Sequence, residues 1–597
     1  MGIIVERLLR LPQLGADPVA RELAVVMTCP TGLSSAGFPY LQPAAWRRLR
    51  DWVPVLFHHG LRALSAADAV RDYARDLGDD DVLANVDRAH AVIAQVVRSA
   101  AICAPSDLWV LRAVLSHMSA SGLLARLQDG GVVRDSDAHG LRPDEIAVDL
   151  RFLLGRGVLV RSEGGGHRLA PHAHARALAA LPALTRTTSA SSAWAALASG
   201  GADAGDTDVV RALATDVPAA NDDDDVREQG VWSPTARECV VGSLVVPLVV
   251  GLAAAGRSTP LSRHHGRVLG TDLMPAADDA GDVALRILRA AAVLDDDDVI
   301  TVLGKRVLER GPGPLGIIET YRTYTDVLQT VWREGRRSVH VERGHNVAAS
   351  QAANAKSFGE ANDALDAFCA ETGFSYSVFV EHALGRGEAT RQRFAKAGTS
   401  LHYVGADLED AAIDAAKEEQ RQGRLPAGMV FVGDADIQIA EKVTDAIEKN
   451  GWSADGAVMI VGNGFHEVRD QTDERITAVF QRYADKGVVV IFTEESALSV
   501  DDLLETAYNT YHAGFRYVHE RSGQHLRPAE ERPAGALEDS LSRSWAECAT
   551  RAGYVRVERF CRRGRTIYPS PSPSGHNPAV SVTHFLVPKA LAARLGL

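Results

Sequence analysis

The sequence predicts an α/β fold in its C-terminal part: a mostly parallel sheet of seven strands whose last strand is antiparallel, preceded by mainly helical domains. Three observations predict it. Beyond residue 336, short apolar runs alternate regularly with segments that can be helical. The last two runs have no helix between them. Upstream, the apolar spacing is that of helices. The strands are expected at 377–381, 401–405, 429–433, 457–461, 488–493, 555–561 and 580–586, with helices in the first five gaps. Strand–helix alternation means parallel strands joined by crossovers and covered on both faces. "RRGRTIYPSPSPSGHNP" joins the last two, and a hairpin suits it better, which puts one antiparallel strand at the sheet's end.

Residues 1–184 read as a helical N-terminal domain. It closes with "DEIAVDLRFLLGRGVLVRSEGGGHRLAP", an amphipathic helix followed by two short strands around a glycine turn. That is the pattern of a helix with a β-hairpin wing. Residues 185–225 read as a solvated linker, small and polar at first and then "NDDDD". Residues 226–335 repeat the unit in "DVALRILRAAAVLDDDDVITVLGKRVLERG", read as helix, acidic turn and strand. Asp295 to Asp298 are expected to be a solvated turn, because consecutive carboxylates point in different directions and make a poor ligand set. Winged helices often bind DNA, but a net charge of −13 disfavours nucleic acid, and a dimerisation and lid module is expected instead.

Six scattered cysteines, without a CxxC pair, fit a reducing cytoplasmic setting. The N-terminus has no basic region before a long apolar core, so no signal peptide is expected. The longest apolar run, "CVVGSLVVPLVVGLAAAG", carries Pro247 and is expected to be a buried, kinked helix and not a membrane span.

The chemistry concentrates in the strand ends of residues 336–597. "SVFVEHALGRGEATRQRF" reads strand, glycine loop, helix, and ligands of open α/β sheets bind beyond the carboxyl ends of strands. A dinucleotide loop would need G-x-G-x-x-G, which Gly385 and Gly387 do not form, and Glu388 puts a carboxylate where a pyrophosphate should sit. A phosphate-binding Gly-Lys-Ser/Thr loop is absent. S-adenosyl-L-methionine has no phosphate and carries an amino group and a sulfonium, which acids and carbonyls suit. The stretch resembles the class I S-adenosylmethionine-dependent methyltransferases, whose first motif is an acid, an apolar residue and Gly-x-Gly-x-Gly. This chain has Glu381, His382 and Ala383-Leu384-Gly385-Arg386-Gly387, so alanine replaces the first glycine and histidine the apolar residue.

The resemblance implies a Rossmann-like catalytic domain that binds S-adenosyl-L-methionine through Glu381, Ala383, Gly385 and Gly387. It implies that Asp407, ending "HYVGAD", holds the ribose hydroxyls, and that Asp434, in "MVFVGDAD", contacts the adenine amine. "AVMIVGNGFHEV" supplies Asn463 beside the cofactor and a histidine-bearing turn facing the methyl group. Many small-molecule O-methyltransferases also place a winged-helix-like domain before the sheet, where it pairs subunits and roofs the substrate. A homodimer and a small-molecule substrate follow from that likeness, with Asn346, Ser350 and Gln351 available for polar contacts.

An imidazole titrates near neutrality, so His466 is the first choice for a general base, with Glu467 or Glu494 to orient it and His512 as second choice. In "TAYNTYHAGFRYVHERSGQHLRP", His512, Arg516 and His519 share one helix face, with Tyr511 beside them, and read as the substrate wall. Arg516 suits a bidentate contact with a carboxylate. No HxxxH or HExxH pair announces a metal site. Three alternatives stay open: carbon methylation of a 2-oxo acid assisted by Arg516 or by a metal on His466, His512 and a carboxylate, a winged-helix regulator that uses S-adenosyl-L-methionine as effector, and an S-adenosylmethionine-dependent enzyme that does not transfer methyl.

Overall fold

The computed structural model describes all residues except 1–5, 9, 12–16, 34–36, 53–55, 135–139, 185–189, 219–231, 276, 340–343, 531–541, 568 and 571–576, and the side chains of 56–58 and 344–353. Asn346, Ser350, Gln351 and the "NDDDD" run lie outside the described residues. The chain forms two units that exchange segments. Unit 1 is Met1–His340 with Ser499–Arg521 and Ile567–Asn577; unit 2 is Val341–Leu498 with Ser522–Thr566 and Pro578–Leu597.

Unit 2 holds the sheet. Its strands are β1 (Val378–His382), β2 (His402–Ala406), β3 (Val430–Val432), β4 (Val458–Gly462), β5 (Val489–Glu495), β6 (Tyr554–Arg556) and β7 (Ser581–Pro588). Their order is β3-β2-β1-β4-β5-β7-β6, parallel from β3 to β5, with β7 antiparallel to β5, to β6 and to an eighth, two-residue strand, Arg562–Arg563, that lies off this row. A seven-strand Rossmann-like sheet with an antiparallel last strand is the fold the methyltransferase resemblance implies. One detail differs from the expectation. The antiparallel strand does not lie at the sheet's end but is inserted between β5 and β6, where Thr493 and Thr583 pair their hydroxyls at 2.8 Å. The edge falls to β6, which is three residues long and not seven, because the chain turns into a 3-10 segment at Glu558–Phe560. A short edge offers little unpaired backbone to another chain.

Apart from the half-buried edge strand β3, the parallel strands are buried on both faces, which is why they read as nearly continuous apolar runs. Side chains alternate across the sheet. Val378 and Val380 face the layer that holds helices Ala440–Lys449, Asp473–Asp485 and Trp545–Arg551. Phe379 faces the layer of helices Gly344–Thr372 and Asp410–Arg421. The strand order reverses between β1 and β4, which makes their carboxyl ends the crevice of the sheet.

Unit 1 is mainly helical. Two long apolar helices, Asp80–Ala120 and Ala236–Ala254, pack together in its core, with Pro247 inside the second. Both are long and apolar enough to cross a membrane, yet most of each apolar window is buried inside the protein. The helix–hairpin unit appears as helix Pro143–Gly155 with strands Leu159–Arg161 and His167–Leu169 in antiparallel register.

Three local expectations are corrected. The stretch read as linker carries helices Ala190–Ser199 and Ala204–Ala214. Its alanines are good helix formers, and Trp194 is fully buried against the close-packed Gly251. Among the described residues, the segment 226–335 has no strand after its acidic turn, only the isolated bridges Arg267 to Val299 and Leu294 to Ile300. Thr301 accepts from the Gly304 N–H at 2.8 Å and caps a helix, Val302–Arg310, so the β-branched run ends where a strand was expected to continue. Asp298 is not solvated either: it is buried, with φ +64°, and its carboxylate pairs with Arg289 at 2.5 Å and Arg267 at 3.2 Å.

Candidate active site

The carboxyl ends of β1, β2, β3 and β4 carry the residues predicted to bind a cofactor. Besides Gly385 and Gly387, three of them have left-handed backbone: Ala383 at φ +55°, Asp434 at +50° and Asn463 at +53°. L-residues visit this region at a cost of about 1–2 kcal/mol, and such strain gathers at ligand sites. Ala383 thus keeps the conformation that glycine would supply. Replacing Ala383 by glycine is expected to raise stability by up to about 1 kcal/mol, reduced by the loss of one packed methyl group. A clear drop in the thermal midpoint would show that the methyl contact outweighs the strain.

Glu381 and His382 point to opposite faces. The Glu381 carboxylate is buried and accepts from the Ala389 N–H at 3.1 Å and the Thr390 N–H at 2.6 Å. It therefore holds the first turn of helix Glu388–Ala397. Burial raises its pKa to about 7, against the lowering effect of the Thr390 and Ala389 hydrogen bonds. His382 takes the Ala383 N–H on Nδ1 at 2.9 Å, which places the proton on Nε2, and that atom is buried with no partner among the described residues. Burial pulls its pKa down to about 4, with Asp436 acting weakly the other way.

A pH effect follows with a definite sign. The unfolded chain takes up the His382 proton below about 6.5, whereas the folded chain resists it down to about 4. Stability present above pH 6.5 is lost as the pH falls toward 4. Glu381 works in the opposite sense, so the contribution is isolated by difference. The thermal midpoint of His382→Leu is expected to gain on the wild type steadily from pH 7 to pH 5, and a constant gap would refute the assignment.

The Asp407 carboxylate is buried at the end of β2, accepting from the Gly385 N–H at 2.9 Å and the Glu409 N–H at 3.0 Å. Burial raises its pKa, and these backbone donors oppose the rise. It thereby ties the glycine loop to β2. Gly387, at φ +78°, lies where an added Cβ would stand 2.9 Å from Leu425. Arg386 between the glycines pairs with Glu419, which Arg424 and Arg386 hold at about 2. Asp434 differs from the other acids: it is exposed, and pairs with Lys442 at 2.7 Å. Asn463 donates to Asn354 at 3.3 Å, while its Oδ1 is buried with no partner among the described residues.

The turn after β4 packs on the glycine loop, since a Cβ added at Gly464 would lie 3.3 Å from that of Ala383. It carries His466 in a 3-10 segment, Phe465–Glu467. The buried Glu494 carboxylate at the end of β5 grips this turn three times. It accepts from the Phe465 N–H at 2.6 Å, the His466 N–H at 3.2 Å and His466 Nδ1 at 2.8 Å. Glu467 lies 3.5 Å from Nε2 on the other side of the ring. Glu494 supplies the orientation, with Glu467 adjacent.

The residues read as substrate wall belong to unit 1. They lie on helix His512–Ser522 and are buried. Arg516 pairs with Glu520 at 2.8 Å, one turn along its own helix, and Glu520 also takes Arg151 at 2.7 Å. His519 Nδ1 donates to the Phe515 carbonyl at 2.7 Å. His512 bonds Thr510, and the Tyr511 ring stacks on His512 with centroids 4.9 Å apart. The same helix is locked into unit 1 by Arg521 on Glu145 and Asp149, at 2.8 and 2.7 Å, and by Tyr517 on Asp149 at 2.7 Å. Among the described residues, no three His, Cys, Asp or Glu side chains gather at metal-binding spacing.

Unit 2 thus has the Rossmann-like sheet expected from the sequence, with acids at the ends of β1 and β2 and a carboxylate-oriented histidine after β4. No protein-family model matches the chain, and no curated protein sequence does. Among solved structures, the chain is similar to a Nostoc punctiforme PCC 73102 protein proposed to be an O-methyltransferase, at 10% identity over 58% of this chain and 97% of that one, with a TM-score of 0.40. It is similar to the pyocyanin biosynthetic protein PhzM at 13% identity over 58% and 96%, with a TM-score of 0.34. An O-methyltransferase of neocarzinostatin biosynthesis, solved with S-adenosyl-L-homocysteine and 1,4-dihydroxy-2-naphthoic acid, is 15% identical over 57% and 95%, with a TM-score of 0.33.

Proposed function

We propose that this chain is an S-adenosylmethionine-dependent methyltransferase acting on a small molecule, with His466 as general base. The observation that carries the reading is the His466–Glu494 pair, set on a turn that packs against the acid-tied glycine loop.

The groups at the strand ends fit the cofactor. Each Asp407 oxygen accepts one backbone N–H and keeps a lone pair, enough for two ribose hydroxyls. The Asn463 Oδ1, which has no partner among the described residues, suits an ammonium donor. Arg386, the loop's one cation, is neutralised by Glu419, so the loop has no free charge to attract phosphate. S-adenosylmethionine, when bound, supplies an electrophilic methyl group.

His466 does the proton work. With Nδ1–H donated to Glu494, Nε2 carries the lone pair and can take a proton from the acceptor as its nucleophilic atom attacks. The imidazolium that results lies between Glu494 and Glu467, and both carboxylates stabilise it. Glu494 also keeps the ring from turning, so the base is aligned before the acceptor arrives.

Calorimetric titration with S-adenosylmethionine and S-adenosylhomocysteine tests the reading. Saturable heats with both ligands are expected. No heat with either would remove the cofactor and the activity with it.

A further inference from the structure

We propose that Gln471 is a positioning residue for His466, clamping the turn that carries the imidazole to the segment by which the chain re-enters unit 2. The inference rests on the reading of His466 as the base. The chain leaves unit 2 after Leu498 and returns at Ser522. Its two ends are joined, the Ala497 N–H donating to the Arg527 carbonyl at 2.9 Å. The returning segment lies along the His466 turn: the His525 N–H donates to the His466 carbonyl at 3.2 Å, and Arg469 donates to the Ser522 carbonyl.

Gln471 stands between the two. Its Nε2 is 3.2 Å from the Phe465 carbonyl, 3.3 Å from that of His466 and 3.0 Å from that of His525. Its Oε1 accepts from Arg527 Nε at 2.9 Å, and Arg527 is fully buried and paired with Asp473. The grip on the turn is therefore two-sided. Glu494 takes the N–H groups of Phe465 and His466, and the Gln471 carboxamide takes their carbonyls. A side chain without N–H donors would free the Phe465 carbonyl and leave that of His466 to the His525 N–H alone. The peptide of His466 could then tilt, and the ring would lose its single alignment on Glu494 although both partners remain.

The test is ¹⁵N NMR of the histidine side chains in the full chain, with the His466 signal assigned from His466→Gln. In wild type one tautomer, protonated on Nδ1, is expected. In Gln471→Met a second tautomer or a broadened resonance is expected, with the thermal midpoint within a few degrees of wild type. Gln471→Glu keeps an acceptor for Arg527 and loses both donors; it should show the same signature where the apolar variant loses the fold. Unchanged His466 signals in both variants would overturn the proposal. Loss of folded protein in both would overturn it too, since Gln471 would then serve the fold. The base reading fails separately, if His466→Gln transfers methyl groups as fast as wild type.

Discussion

Replacing His466 by glutamine is expected to lower methyl-transfer turnover by about 10²- to 10⁴-fold, the usual contribution of a positioned base. Binding of S-adenosylhomocysteine should change little. The asymmetry comes from where the ring's bonds go. Nδ1 is committed to Glu494 and the backbone of the turn is held by the same carboxylate, so the substitution removes the basic nitrogen and leaves Phe465 and the glycine loop in place. The measurement is S-adenosylhomocysteine release over a panel of phenols and 2-oxo acids, with calorimetry on the same variant. Equal loss of binding and turnover would mean that the histidine serves the pocket's shape.

Asp407→Asn is expected to weaken S-adenosylhomocysteine binding by on the order of 10- to 100-fold, as for loss of hydrogen bonds to a charged acceptor. Asparagine keeps the shape but replaces one acceptor oxygen by a donor that faces a backbone N–H, either that of Gly385 or that of Glu409. The loop should therefore loosen as well as lose its contact with the ribose. Calorimetry of variant and wild type measures the affinity, and a heat-denaturation scan separates loop loosening from global unfolding. Wild-type affinity would assign Asp407 to the loop alone.

Ala383 shows how far local sequence reaches. Its replacement of a motif glycine is visible in the sequence, but its left-handed backbone is not, because an isolated alanine favours right-handed conformations. Glu381 is similar. An acid ending a strand before a glycine loop suits a ligand or a helix terminus equally, and the contacts with Ala389 and Thr390 show that it caps the helix.

Legible in the sequence alone were the five parallel strands of unit 2, their alternation with helices, the antiparallel direction of the last strand, the acids at the ends of β1 and β2 and the His466 turn. These depend on local periodicity and on residue types at strand ends, which survive without knowledge of partners. Tertiary structure alone decided the insertion of β7 beside β5, the helices in the supposed linker and the fate of residues 512–521. A helix face bearing His512, Arg516 and His519 has one appearance in sequence whether it meets a ligand or a protein interior. Glu145 and Asp149, which hold its Arg521, lie more than 370 residues away in the chain, and no local pattern carries a contact of that range. Gln471 was unreadable for the same reason: a carboxamide has no periodicity, and its meaning lies in which three carbonyls folding brings within its reach.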